Sequence, residues 1–137
     1  MYLLDTNVLS ELRKVPAHPR VSAWVDAQVK ATLFISAVSV LEIRRGIHKL
    51  EQRGDFAQAA IFTAWLQHQI QPAFAGRILS VDQDVALQAA VLPWPDSTDC
   101  RDALIAATAL VHGATMVTRN VRHFDAMGVQ IVNPWSA

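Results

Sequence analysis

The sequence predicts an α/β protein with a parallel sheet, and three observations lead there. Five short runs rich in β-branched or large apolar residues, at 2–5, 33–36, 78–81, 115–118 and 129–132, read as buried strands. Helical patterns lie between them, at 8–14, 20–29, 38–52, 56–71, 83–91 and 102–112. No repeat, linker or low-complexity tract divides the chain, so residues 1–137 read as a single domain. Alternation of strands and helices calls for helices on both faces of the sheet, and right-handed crossovers place the strand ends along one rim.

Taken in order, the first strand stops in Asp5-Thr6-Asn7, a carboxylate, a hydroxyl and an amide, before a helix starts at Val8. The carboxyl end of a strand is where α/β proteins bind ligands, which makes Asp5 the first suspect. Pro16 and Pro19 separate the first two helices, and Gly54-Asp55 breaks the third from the fourth. Glu42 follows the second strand, within the first turn or so of helix 38–52. Pro93-Trp94-Pro95 forbids helix before Asp102, which opens a helix whose next nine residues carry no charge and which is therefore expected to be buried nearly all round. Gly113 suits the end of that helix. The fourth strand runs into Thr118-Arg119-Asn120, polar side chains again at the rim.

Each acid has a structural explanation. Asp5 can cap the first helix, Asp102 can complement its helix dipole, and Ser39-Val-Leu-Glu42 matches a capping box. Together they share one address, the end of a strand or the start of the next helix. Three carboxylates brought together there repel, and a cation is the remedy. Hard oxygen donors of this kind suit Mg²⁺ or Mn²⁺, hence metal-dependent phosphoryl transfer or hydrolysis. Arg119 offers a forked donor to a phosphate, while Thr118 and Asn120 can contact a phosphate or a water; an ordinary polar turn is the alternative.

Composition removes other classes. The chain is 52% hydrophobic with net charge zero, which excludes disorder and a global basic field. Basic residues nonetheless crowd Arg44, Arg45, His48, Lys49 and Arg53, and again Arg119, Arg122 and His123. No run approaches the roughly 18 apolar residues of a membrane span. Asp5 and Glu11 interrupt any secretory signal, and one cysteine, Cys100, excludes a disulfide framework; a cytoplasmic protein is expected. A phosphate-accepting receiver domain would need paired acids after its first strand and a late lysine, yet no lysine follows Lys49.

Asp5-Thr6-Asn7-Val8-Leu9, Glu42 ahead of Arg45-Gly46-Ile47, Asp102-Ala-Leu-Ile-Ala-Ala-Thr-Ala, Thr118-Arg119-Asn120 and Asn133-Pro134-Trp135 together resemble a PIN-domain protein. More narrowly the chain is similar to the VapC toxins of bacterial type II toxin–antitoxin systems, in the FitB-like branch, over residues 2 to about 135. The resemblance implies an α/β/α sandwich around a parallel sheet of about five strands. It also implies an endoribonuclease using Mg²⁺ or Mn²⁺, with Asp5, Glu42 and Asp102 as the acidic cluster. Asp5 and Asp102 are then the metal ligands, Glu42 acts on the metal directly or through water, and Thr6 and Thr118 support them. Many PIN domains carry a fourth acid near the turn where this chain has Asn120 and His123, so a one-metal or substrate-completed site is expected.

Implied partners are an RNA substrate, a VapB-type antitoxin covering the acidic site, and a second copy in a homodimer within a larger complex. DNA is reached only indirectly, through the antitoxin, and no membrane is involved. The apolar residues Ile47, Leu50, Phe56, Ile61, Phe62, Trp65 and Leu66 divide between core and a partner groove. The alternative reading is a weakly or non-catalytic scaffold working in a DNA-binding antitoxin complex.

Overall fold

A computed structural model describes residues 1–95 and 99–136. In chain order its elements are β1 (Tyr2–Leu4), α1 (Thr6–Arg13), α2 (Pro19–Asp26), β2 (Leu33–Ser36), α3 (Ala37–Gln52), α4 (Phe56–Trp65), α5 (Gln71–Ala73), β3 (Ile78–Leu79), α6 (Gln83–Ala90), α7 (Arg101–His112), β4 (Thr115–Val117), α8 (Val121–Asp125) and β5 (Ile131–Val132). The five strands form one parallel sheet in the order β3-β2-β1-β4-β5. No helix among the described residues is long and apolar enough to cross a membrane.

Alternation along the short strands divides the core in two. Leu4, Leu33, Ile35 and Val117 face one side, where they pack with Val8, Leu9, Val21, Ile43, Ile47 and Trp65. Leu3 and Met116 face the other, with Val38, Ile105, Ala106, Ala109 and Phe124. Helices therefore cover both faces, giving the expected α/β/α sandwich with five parallel strands. The charge-free helix α7 is buried on two sides at once. Ile105, Ala106 and Ala109 meet the sheet, while Ala103 and Ala107 meet Val85 and Ala89 of α6. Truncating the fully buried Ile105 to Ala would cost about 2–5 kcal/mol.

Several expected boundaries shift for local reasons. Strand β1 stops at Leu4, because Asp5 turns to cap α1. Glu42 sits in the second turn of α3, not the first, and the S-x-x-E capping box does not form. Ser36 is the cap, accepting from the Val38 N–H at 3.0 Å, and Ser39 is buried inside the helix. The expected helix 56–71 widens into a π-turn over Leu66–Ile70, where the Gln71 N–H bonds the Leu66 carbonyl, before the short α5. Pro72 lacks the N–H that would continue an α-helical ladder there.

The order of the strands decides where a site can form. From β1 the chain moves outward through β2 to β3, then returns to lay β4 and β5 on β1's other side. The crevice beyond the ends of β1 and β4 is thus the topological switch point.

Candidate active site

Asp5 stands at that switch point, one residue past β1, and Thr118 stands one residue past β4. The Thr118 hydroxyl donates to Asp5 Oδ2 at 2.8 Å, closing the crevice with a bond between residues 113 apart in sequence. Asp5 Oδ1 accepts the Thr6 N–H at 2.8 Å, so capping and site-building are served by one carboxylate. Asn7 Nδ2 donates to Asp5 Oδ2 and to Thr118 Oγ1, each at 3.3 Å. Its carbonyl oxygen is left buried with no hydrogen-bond partner. Thr118 also accepts the Asn120 N–H at 3.0 Å, which ties the start of α8 to the same crevice.

Thr6 carries the connection to Glu42. Its hydroxyl lies 2.9 Å from Glu42 Oε1 and 2.9 Å from the buried Ser39 Oγ. With one proton to give, Thr6 donates to the carboxylate and accepts from Ser39. Glu42 Oε2 is 3.9 Å from the Arg101 guanidinium, whose Nε also bonds Asp99 at 2.9 Å. Asp102, at the opening of α7, has Oδ2 at 3.2 Å from His123 Nδ1 on α8.

The acids feel one another. Burial pushes Asp5 above its ordinary 3.8, hydrogen bonds from Thr118 and the Thr6 N–H pull it back, and the charge of Asp102 adds to the rise. Burial also raises Glu42 above 4.5, opposed by the Thr6 bond; Asp5 and Asp102 push it further and Arg101 restrains it. Asp5 is buried and Glu42 half-buried, and both are held above their usual range, a perturbation that clusters at functional sites.

Does this donor set fit a divalent ion? The chemistry does: hard carboxylate oxygens, mutual repulsion, and an orphaned amide oxygen on Asn7 beside Asp5. Among the described residues no three His, Cys, Asp or Glu side chains converge closely enough to hold an ion together. Such a set matches an ion that takes one or two carboxylates and keeps several waters.

The remaining sequence candidates divide. Thr6 and Thr118 both bond to the acids. The Arg119 guanidinium lies over the Trp135 ring, 5.3 Å from its centroid. Asn120 is exposed, and its side chain makes no cap bond to α8. Asp125, on the same short helix, is exposed and lines a different cleft, with Tyr2 and Asn133. Sequence reasoning overlooked Asn7 beyond its place in the opening motif, and it gave no site role to Ser39, Arg101 or Trp135. Helical spacing could have found Ser39, three residues before Glu42 on one face.

Helix α3 also sorts the basic residues that looked like one patch. Glu42, Gly46, Lys49 and Arg53 line a groove of about 410 Å³ with Thr6, Leu50, Phe62 and Trp65. Arg44, Arg45 and His48 lie together with Leu41 on a different face, and Arg44 pairs with Glu51 at 3.2 Å. Of the apolar stripe, Ile47, Trp65 and Leu66 are core, Leu50 and Phe62 are half-buried in the groove, and Phe56 and Ile61 are exposed.

A family model described as PIN domain matches residues 2–129. The chain is 39% identical over 140 residues to the VapC ribonuclease Y4jK of Sinorhizobium fredii, covering 98% of each. It is 36% identical over 140 residues to the Toxin FitB of Neisseria gonorrhoeae, covering 98% of this chain and 99% of that one. The crystal structure of FitAcB from Neisseria gonorrhoeae superposes with a TM-score of 0.87 at 35% identity, covering 100% of both chains.

Proposed function

The chain belongs to the PIN-domain family, and from that premise we propose that it is the nuclease toxin of a toxin–antitoxin pair, an endoribonuclease dependent on Mg²⁺ or Mn²⁺. The observation that carries this reading is the bond between Asp5 and Thr118 at the switch point, with Glu42 and Asp102 in electrostatic reach. The names of the relatives, a VapC ribonuclease and a toxin, support the same class.

Asp5 and Asp102 would hold the ion directly, and Glu42 would act from the Thr6 side, directly or through a water. A bound divalent cation supplies charge stabilisation for the phosphodiester and lowers the pKa of the attacking water. The protein's share is positioning. Thr118, Thr6 and Asn7 fix the Asp5 carboxylate, and Ser39 with Thr6 fixes Glu42. Arg119, stacked on Trp135, presents a pre-organised guanidinium at the rim, suited to a phosphate of the RNA. A VapB-type antitoxin segment would occupy the groove of Leu50, Phe62 and Trp65 that opens at Thr6 and Glu42, with the protein acting as a homodimer in the larger complex.

Cleavage of total RNA by the purified chain tests the reading, with Mn²⁺ or Mg²⁺ and with EDTA, beside Asp5→Asn and Asp102→Asn. Metal-dependent cleavage lost in both variants is the expected result. A folded, antitoxin-free chain that cuts nothing under either metal would leave the non-catalytic scaffold as the better account.

A further inference from the structure

We propose that His123 fills the fourth corner of the acidic site and holds it to a single divalent cation. This deepens the metal-dependent reading above and rests on it. An ionised carboxylate offers about four acceptor positions. On Asp5 three are occupied, by the Thr6 N–H on Oδ1 and by Thr118 and Asn7 on Oδ2. The one that remains can meet one ion. It cannot bridge two ions of the closely spaced pair, about 3.5–4 Å apart, that two-metal hydrolysis requires.

The other acids already have partners. Glu42 has Thr6 on one oxygen and the Arg101 guanidinium 3.9 Å from the other. Asp102 Oδ2 faces His123 Nδ1 at 3.2 Å. An ionised carboxylate only accepts, so Nδ1 carries the proton and Nε2 is the nitrogen turned away from Asp102. Where another acid would add a negative oxygen, this chain therefore spends an N–H on Asp102. A second cation would find no anionic group at position 123 to receive it.

Counting bound Mn²⁺ on the metal-free full-length chain tests this, by calorimetric titration and by the electron-spin signal of the free ion. The wild type is expected to bind one ion per chain. His123→Asp is expected to bind a second, more weakly, and His123→Ala to bind one with about 10-fold lower affinity, because Asp102 loses its orienting partner. Two ions on the wild type would overturn the proposal. So would a folded His123→Asp chain, checked by circular dichroism, that still stops at one. If that variant does not fold, the wild-type count decides alone. A wild type that binds no Mn²⁺ would instead remove the metal-dependent reading itself, and that failure is distinct from a count of two.

Discussion

Asp5 is 5% exposed and its carboxylate accepts three hydrogen bonds, whereas the Asp102 side chain is 37% exposed and, among the described residues, bonds one partner, an exposed histidine. Asp5 follows β1 and Asp102 opens α7, and the fold treats them differently. Asp5 belongs to the core: it caps α1 and receives the Thr118 hydroxyl from the residue after β4. Asp102 projects from the mouth of α7 toward solvent. The difference separates two jobs. On the proposed function, the buried, hydrogen-bonded acid would give the site its fixed point, and the exposed one would adjust to an ion and a substrate.

The largest predicted effect removes that distinction. Asp5→Asn and Asp102→Asn should each lower metal-dependent RNA cleavage by at least ~100-fold, since even outer-shell partners of a metal site cost 10–100-fold. Equal losses would show that burial does not decide catalytic weight.

Stability should separate the two acids where activity does not. The folded chain raises the pKa of Asp5, so it binds that proton more tightly than the unfolded chain, whose carboxyl titrates near 3.8. In EDTA, stability from this group is therefore present at low pH and lost as pH rises from about 3.8 through the raised native value. Glu42 has the same sign, starting near 4.5. We predict that Asp5→Asn gains in melting temperature relative to wild type as pH rises toward 7 in EDTA. The gain should shrink as pH falls toward 4, and Mn²⁺ should stabilise wild type but not the variant. Thermal melts across pH test this, and a difference between variant and wild type that does not change with pH would contradict it.

A smaller effect probes what holds Asp5. Thr118→Val deletes the buried O–H donor and should cost about 1–3 kcal/mol of stability and about 10-fold in cleavage. Thr118→Ser should recover most of both. Equal behaviour of Val and Ser in melts and in cleavage rates would mean that the hydroxyl is not what matters.

The smallest effect concerns helix α3, a second pair of contrasting surfaces. Lys49→Glu with Arg53→Glu changes the groove that opens at Glu42, and should weaken RNA binding about 10-fold at low salt. Arg44→Glu with Arg45→Glu changes a different face and should stay within about twofold, because exposed charges beyond a Debye length are screened. RNA affinity measured at two salt concentrations decides, and an equal loss in both pairs would reunite the patch.

Much of this was readable before any coordinates. The five strands and the long helices follow from periodicity, because a strand buried on both faces and a helix buried on one leave different marks. Asp5, Glu42 and Asp102 were visible because acids at the ends of apolar strands and at the mouth of a charge-free helix stand out. Helix α8 was not listed among the helical patterns, since five residues carry too little periodicity to register. The split of the Arg44–Arg53 cluster was hidden for a related reason. Neighbours in sequence point to different faces of a helix, and only packing says which face meets the site.

By itself, then, the sequence determined the fold class, the parallel sheet and the three acids, because each is encoded locally, in spacing and in residue type. Only the tertiary structure decided which acid is buried, that Thr118 and not Asn120 reaches Asp5, that Ser39 supports Thr6 rather than capping α3, and that His123 meets Asp102. Those facts depend on contacts across 21 to 113 residues of chain, set by the order in which the strands pack. Burial and hydrogen bonding between distant segments leave no periodic signal, and they alone decide what surrounds each carboxylate.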